Sequence, residues 1–219
     1  MQDTLDELYA RSKANATNVD LYGLITSKNN ILLAYRNIKN NTGSDTKGTD
    51  GLTIGDYRII DECSFINEIH ETLNNYIPHT VLRVFVEKDN GKLRPLGIPT
   101  MRDRLIQQMF KQVLEPIVEA KFHNHSYGFR PNRSTHHAIA RSMSLINCAK
   151  LNYVVDVDIE SFFDRVNHSK LLSQLYTIGV KDKRVLAIIS KMLKAPIEGE
   201  GIPIQGTPQG GSSLHFFPT

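Results

Sequence analysis

The spacing of apolar residues along the chain changes from a helical period to a strand-like one and back. Apolar side chains recur every three or four residues in several stretches, the spacing of one buried helix face. The pattern predicts helices over residues 31–41, 63–76, 100–122, 134–149, 167–179 and 183–195, after a loosely organised helical start. Thr100 with Asp103 resembles a capping box at the start of the longest of these helices.

Two short stretches between these helices instead alternate with a period of two. Residues 82–88 (LRVFVEK) and 91–99 (GKLRPLGIP) read as strands, with Asn90-Gly91 between them. An Asn-Gly pair between alternating runs is among the strongest short-range signals for a β-hairpin. The hairpin carries Lys88, Lys92 and Arg94, cations that suit phosphate oxygens but also suit an ordinary solvated hairpin.

A third strand-like stretch, residues 152–159 (NYVVDVDI), contains two acids. Alternation places Asp156 and Asp158 on the same face of a strand. A carboxylate within a buried strand is costly unless it is paired or binds a metal. Paired acids of this kind suit Mg²⁺ in phosphoryl transfer, although a solvated strand end explains the same pattern.

Composition narrows the class of protein without identifying it. The 219 residues are 40% hydrophobic and 22% charged, with a net charge of +3 and two cysteines. This is ordinary globular material, and so few cysteines disfavour a disulfide framework or a cysteine-rich zinc site. The polar start of the chain lacks the features of a signal peptide, and we expect a cytoplasmic protein without a membrane partner. Basic stretches at residues 94–104, 128–134 and 181–184 weakly favour a nucleic-acid partner.

Five sequence blocks, taken in order, resemble one known family. They read DGLT, KDNGKLRPLGIPTMRDRLIQQ, YGFRPNRSTHHAI, VDIESFFDRVNHSKL and GTPQGG. Their order and spacing between about residues 31 and 211 are similar to those of group II intron-encoded reverse transcriptases and maturases. The resemblance implies an α+β fold, namely the fingers and partial palm of a right-hand polymerase, helix-rich with a fingers β-hairpin and a short palm sheet. The implied segments are an N-terminal helical extension (1–50), fingers (51–150), a partial palm (151–211) and an atypical tail (212–219).

The resemblance also assigns roles around a nucleotide and two metal ions. Asp158 matches the first catalytic aspartate, which binds both Mg²⁺ ions (or Mn²⁺), and the backbone carbonyl of Ile159 helps to hold one of them. Asp156 has no such role in the family. The residues that match nucleotide-binding positions are Lys88 and Arg94 at the triphosphate, Phe163 as the steric gate against a ribose 2′-hydroxyl, and Gln209.

Nucleic-acid contacts follow from the same resemblance. The residues expected to contact RNA or the template–primer duplex are Lys92, Arg104, Arg130 and Arg133. The implied partners are group II intron RNA, an RNA template with a DNA primer, and a dNTP, in a bacterial protein working at the nucleoid. Exposed apolar stripes also lead us to expect self-association as a homodimer.

The sequence departs from the family after GTPQGG. The family continues with a Ser-Pro-Leu-rich helix and a later Tyr-Ala-Asp-Asp, whereas this chain reads SSLHFFPT and contains no such acid pair. We therefore expect an N-terminal fragment with an incomplete metal site and negligible polymerisation on its own. Two alternatives stay open, a non-catalytic RNA-binding and splicing module and a retron-type reverse transcriptase.

Overall fold

Helices make up most of the computed structural model, which describes residues 1–16, 20–87, 91 and 93–207, and the longest helix lies in the buried core. A two-stranded antiparallel sheet lies between the fourth and fifth helices, so the expected α+β class is confirmed. In chain order the elements are α1 (Gln2–Lys13), α2 (Leu21–Ile25), α3 (Lys28–Lys39), α4 (Glu62–Asn74), β1 (Leu82–Glu87), β2 (Leu93–Ile98), α5 (Met101–Glu119), α6 (Thr135–Asn147), a 3-10 turn (Phe162–Arg165), α7 (His168–Ile178) and α8 (Lys183–Leu193).

Helix α5 forms the centre of the hydrophobic core, as its apolar stripe predicts. Its side chains at Leu105, Ile106, Met109, Phe110 and Val113 are fully buried. Helices α1, α2 and α3 pack against it. Burying one such side chain contributes roughly 1.5–3 kcal/mol, so this stripe is a major source of the stability of the fold.

The start of α5 differs from the predicted capping box. The Thr100 hydroxyl oxygen accepts from the Asp103 amide, as expected. The Asp103 carboxylate, 2% exposed, instead accepts from the Tyr76 hydroxyl at 2.8 Å and from the His79 amide at 2.9 Å. It does so because residues 76–79 pass over the helix N-terminus. This buried acid therefore fastens residues 76–79, which follow α4, to the start of α5.

The predicted β-hairpin is present. Strands β1 and β2 pair antiparallel from Leu82 opposite Ile98 to Glu87 opposite Leu93. Phe85 and Leu93 are largely exposed, so the hairpin projects away from the core. The predicted turn at residues 89–90 lies outside the described residues.

The predicted strand over residues 152–159 is wrong, because this stretch has no regular structure. No described strand pairs with it, and a strand needs a neighbour to bond its backbone N–H and C=O groups. Its apolar side chains are exposed on both sides, with Tyr153 reaching 96%. The expected short palm sheet is therefore absent from the described part of the chain.

Helix α6 shares this exposure. None of its residues is buried, although Ile139, Met143 and Ile146 form one apolar stripe. Residues 151–159, which follow α6 closely in sequence, also expose their apolar side chains, and apolar exposure on this scale is typical of an interaction site. We call these two segments the exposed apolar face.

One buried cluster contains side chains from α1, α3, α5, α7 and α8. The three long segments expected from the sequence thus share a core, and their boundaries stay predictions. Within the described ranges, none of the helices combines the length and the apolar character that crossing a membrane requires.

Candidate nucleotide and metal site

The loop over residues 205–207 lies against the 3-10 turn that follows the two acids. The Gly206 amide donates to the Val166 carbonyl at 2.8 Å, and the Thr207 amide donates to the Phe163 carbonyl at 2.8 Å. A ring nitrogen of buried His168 lies 2.7 Å from the Gly206 carbonyl oxygen. These contacts join the GTPQGG block to the block containing Phe163.

Gly206 is required at this contact for two reasons. Its φ of +83° is in the left-handed region that favours glycine. A Cβ at this position would lie 2.8 Å from the Asp164 carbonyl oxygen, closer than carbon and oxygen can approach without movement. The glycine therefore allows the two backbones to meet.

The sequence SFFD forms a tight turn that presents its aromatic residues. Ser161 has a φ of +52°, and its carbonyl accepts from the amides of Asp164 at 3.0 Å and Arg165 at 3.1 Å. The rings of Phe162 and Phe163 meet edge to face at 5.4 Å. Helix α7 starts directly afterwards, and the side chain of Asn167 caps it by accepting from the Lys170 amide.

The base of the hairpin is tied to the segment that leads into the 205–207 loop. The Val81 amide donates to the Pro196 carbonyl at 2.7 Å, and the Glu198 amide donates to the Val81 carbonyl at 3.0 Å. Arg83 forms an ion pair with Glu200 a little further along both segments. The hairpin and the loop therefore stand side by side.

A groove of about 370 Å³ lies between the hairpin, the 3-10 turn and this loop. Its walls include one cation, two acids, an aromatic ring and polar groups of the loop, contributed by Arg83, Asp164, Glu200, Phe85, Gln205 and Thr207, with Pro95 beside them. The ring and the polar groups can contact a sugar and a base, whereas the cation is already paired with Glu200.

Two predicted nucleotide-binding residues, Arg94 and Phe163, are chain neighbours of groove-lining residues, although neither lines the groove itself. Arg94 precedes Pro95 in β2 and lies opposite Val86, so alternation places it on the other face of the hairpin from Phe85 and Pro95, which line the groove. Phe163 precedes Asp164 and is half-buried in the 3-10 turn. Lys88, Lys92 and Gln209 lie outside the described residues.

The predicted metal ligands are not part of the groove lining. Asp158 and Ile159 are exposed on the irregular segment before the 3-10 turn. A carboxylate and a carbonyl are hard oxygen donors that suit Mg²⁺. Among the described residues, however, no group of three or more His, Cys, Asp or Glu could hold a metal ion. The donors present therefore fit only part of a two-metal site.

The nucleic-acid role expected for Arg104 needs correction. Its guanidinium donates to the carbonyls of Pro99 at 2.9 Å, Gly43 at 2.9 Å and Thr46 at 2.7 Å. Burial lowers the pKa of this guanidinium from its ordinary value. Arg104 thus holds the loop after α3 against the start of α5, and its donors face the protein.

Arg130 needs the same correction. Its side chain is 4% exposed and pairs with Glu119 at 2.6 Å, while Nη1 donates to the carbonyls of His123 and Ser126 at 2.8 Å. The hydrogen bond to Glu119 raises the pKa of Arg130. The guanidinium therefore folds the basic loop onto the end of α5 rather than facing solvent.

Arg133 differs from these two arginines. It is exposed, and its guanidinium lies over the Tyr127 ring at 5.8 Å from the centroid. An exposed guanidinium that rests on an aromatic ring suits contact with a phosphate. The predicted contact between Arg133 and nucleic acid stays a prediction with a suitable geometry.

Arg83, Asp164 and Glu200 were not predicted from the sequence. Alternation places Arg83 on the same face of β1 as Phe85, and that signal was available. Glu200 offers no comparable signal, because its contact with Arg83 spans 117 residues.

The chain is similar to known proteins over most of its length. The family described as reverse transcriptase (RNA-dependent DNA polymerase) matches residues 86–213. Protein YkfC of Escherichia coli K12 is 38% identical over 200 residues, which cover 87% of this chain and 52% of YkfC. The group II intron-encoded protein LtrA of Lactococcus lactis subsp. cremoris is 34% identical over 222 residues, covering 96% of this chain and 33% of LtrA. The chain thus spans between a third and about half of these relatives.

A solved structure supports the fold. A chain of a partial Cas6-RT-Cas1–Cas2 complex superposes with a TM-score of 0.54 at 23% identity, covering 88% of this chain and 32% of that one. The sequence matches and the shared fold lead to one assignment. The chain belongs to the reverse transcriptase (RNA-dependent DNA polymerase) family, among the group II intron-encoded reverse transcriptases and maturases.

Proposed function

We propose that this chain supplies the fingers and part of the palm of an RNA-directed DNA polymerase encoded by a group II intron. The observation that supports the proposal most strongly is the groove between the hairpin and the Phe163–Thr207 contact. Three family blocks that are distant in sequence line this groove. Its volume and its aromatic and polar walls suit the sugar and base of a deoxynucleoside triphosphate.

Within this proposal each predicted residue acts on one part of the nucleotide. Lys88 and Arg94 bind the triphosphate, because a lysine supplies a point charge and an arginine supplies paired donors. The Phe163 ring excludes a ribose 2′-hydroxyl, and Gln209 contacts the incoming nucleotide.

Asp158 and the Ile159 carbonyl are the proposed Mg²⁺ ligands. Bound Mg²⁺, or Mn²⁺ in its place, would stabilise the attacking and leaving oxygens of an in-line displacement. Because the sequence has no Tyr-Ala-Asp-Asp, we propose that the 219-residue chain alone extends a primer negligibly.

The proposed macromolecular partners are an RNA template with its DNA primer, and intron RNA whose splicing the protein assists. Arg133 over Tyr127 is the observation that favours RNA binding, with or without catalysis. A homodimer would form through the exposed apolar face defined above. We place the protein in the cytoplasm, where its exposed free cysteines Cys63 and Cys148 would stay reduced.

Equilibrium binding of a base-labelled fluorescent dATP to the 219-residue chain in Mg²⁺ tests the groove. We expect saturable binding that Arg94→Ala weakens about tenfold, the effect of losing one charge-assisted contact. Arg141→Ala, at an exposed arginine of α6, is the matched control and should bind as the parent does.

A second variant tests the aromatic gate in the same assay. Phe163→Val should bring the affinities for labelled dATP and ATP closer together, because the smaller side chain admits the 2′-hydroxyl. An absence of saturable binding, or equal losses in Arg94→Ala and Arg141→Ala, would overturn the proposed nucleotide site.

A further inference from the structure

Arg83, near the base of the hairpin, forms a two-pronged ion pair with Glu200. Nε donates to Oε1 and Nη2 donates to Oε2, both at 2.7 Å. The Arg83 side chain is 16% exposed and that of Glu200 is 50% exposed. Paired donors to one carboxylate fix both the distance and the orientation of the two groups.

The turn that carries Glu200 is built to present it. The Ile197 amide donates to the Gly201 carbonyl at 2.8 Å, and the Gly201 amide donates back to the Ile197 carbonyl at 2.9 Å. Gly199 and Gly201 on either side of Glu200 both have positive φ, at +76° and +81°. The closed turn therefore holds the Glu200 backbone in one place opposite β1.

The ion pair is the second tie between the hairpin and this segment. The first is the pair of backbone hydrogen bonds at Val81. A single tie at the base would let the hairpin pivot about that point. A second tie two residues along β1 fixes the direction of the strand, and with it the position of Arg94 on β2.

The same pair also borders the groove. Arg83 and Glu200 are among its lining residues, together with Asp164 and Gln205. The segment carrying Glu200 continues into the 205–207 loop, which is bonded to the 3-10 turn. The ion pair therefore lies between the hairpin and the 205–207 loop. These are two walls of the groove, and the distance between them is its width.

We propose that Arg83 and Glu200 are positioning residues that hold the hairpin at a fixed angle over the groove and so place Arg94 for triphosphate binding. The nucleotide part of this inference rests on the function proposed above. The hairpin part rests on the contacts of this chain alone. Neither residue is proposed to contact the reacting atoms.

The charges of the pair support this role. The hydrogen bond from Arg83 lowers the pKa of Glu200, and the hydrogen bond to Glu200 raises the pKa of Arg83. Both groups are therefore charged at neutral pH. Because Glu200 is half exposed, dissolved salt weakens the pair in part.

Spin labels can measure the hairpin angle directly. One label is placed by Leu93→Cys on β2 and the other by Tyr176→Cys on α7, both at exposed positions. Cys63→Ser and Cys148→Ser remove the natural thiols, which are also exposed. Pulsed electron paramagnetic resonance then gives the distribution of distances between hairpin and core.

We expect one narrow distribution for the parent and a broadened one for Glu200→Gln, which keeps the shape of the side chain but removes its charge. Glu198→Gln, at an exposed neighbour in the same turn, is the matched control and should leave the distribution narrow. Arg83→Glu combined with Glu200→Arg restores an ion pair of reversed sign and should narrow the distribution again. Thermal unfolding of each variant shows whether it is folded.

Binding of labelled dATP in Mg²⁺ supplies the second measurement. Glu200→Gln should weaken binding about fivefold, within the range of coupling between contacting charged residues. The double variant Arg83→Glu with Glu200→Arg should recover most of the lost affinity. Substitutions that acted only by destabilising the fold would not recover it.

If Glu200→Gln keeps the parent's narrow distance distribution, the positioning role is wrong. If the distribution broadens as expected but the parent binds no dATP, the hairpin role stands and the proposed nucleotide site fails.

Discussion

The backbone amide of Thr207 lies 2.8 Å from the carbonyl oxygen of Phe163, to which it donates a hydrogen bond. This bond places the GTPQGG block against the aromatic turn that follows the two acids. The base of the hairpin, a third part of the chain, contacts the segment that leads into this loop through Val81 and Arg83. Three separate family blocks thus form one groove, and the predictions below test how it is built.

Gly206→Ala should disrupt the contact between the 205–207 loop and the 3-10 turn. Gly201→Ala is a matched control, because Gly201 also has a positive φ but a Cβ there would meet no atom within 4 Å. Each substitution incurs the strain of placing alanine in the left-handed region, of order 1–3 kcal/mol. Gly206→Ala should cost about 1 kcal/mol more, since its Cβ would press on the Asp164 carbonyl.

Urea unfolding of the two glycine variants checks this difference. Labelled dATP binding should weaken in Gly206→Ala more than in Gly201→Ala. Equal losses of unfolding free energy would show that the close approach at Asp164 does not constrain the loop.

Arg104→Ala should lower stability. The substitution leaves the carbonyls of Pro99, Gly43 and Thr46 without this donor, and hydrogen bonds to a charged group contribute about 1.5–3 kcal/mol. We expect a loss of about 2–3 kcal/mol in urea unfolding and faster proteolysis within residues 43–46. A variant that unfolds like the parent but binds RNA less tightly would restore the nucleic-acid role for Arg104.

Arg133→Ala, unlike Arg104→Ala, should weaken nucleic-acid binding and leave stability almost unchanged. The guanidinium is exposed, so the free energy of unfolding should change by no more than about 0.5 kcal/mol. Affinity for an RNA–DNA duplex should fall, and the slope of log affinity against log salt should decrease by about 1, as for one lost phosphate contact. Fluorescence anisotropy at several salt concentrations measures both quantities. An unchanged slope would exclude a phosphate contact at this residue.

Tyr76 makes stability depend on pH in the alkaline range. Burial, followed by the nearby Asp103 carboxylate, raises the pKa of the Tyr76 hydroxyl well above its usual value of 10.0. The unfolded chain therefore loses this proton at a lower pH than the folded chain. The contribution of Tyr76 to stability is complete below about pH 10 and declines as the pH rises further.

Tyr76→Phe isolates this effect. Near pH 8 the variant should be less stable by about 1–2 kcal/mol, because the buried Asp103 loses a donor. The difference in unfolding free energy between parent and variant should shrink above about pH 10. Above that pH the phenol ionises in the unfolded parent and so stabilises its unfolded state, whereas the variant has no phenol at this position. Tyr153→Phe, at a tyrosine that is 96% exposed, removes a phenol outside the core and is the control. A gap that stays constant from pH 8 to about 11 would contradict the assignment.

The helices and the hairpin were predictable because their signals are local. The stripe on α5 and the alternation of β1 each depend on neighbouring residues. Residues 152–159 have an equally clear strand pattern, yet they form no strand in the described structure. A pattern reports which residues suit a sheet, whereas the sheet itself requires a partner strand.

The candidate site was predictable only in part, for a similar reason. Family blocks identified Arg94 and Phe163, whose chain neighbours line the groove. A basic block cannot reveal which of its cations turns inward, and so Arg130 was expected to face RNA although it is buried against Glu119. The pairing of Arg83 with Glu200 arises from folding and leaves no trace in either local sequence.

We propose above that Asp158 is the first catalytic aspartate of a reverse transcriptase. RNA-templated DNA primer extension by a chimera, in which this chain replaces the aligned region of LtrA, tests it most directly. We predict Mg²⁺-dependent synthesis that Asp158→Asn abolishes and the neighbouring control Asp156→Asn preserves. A folded chimera that binds the template–primer but makes no DNA, or one that still synthesises DNA with Asp158→Asn, would refute this role.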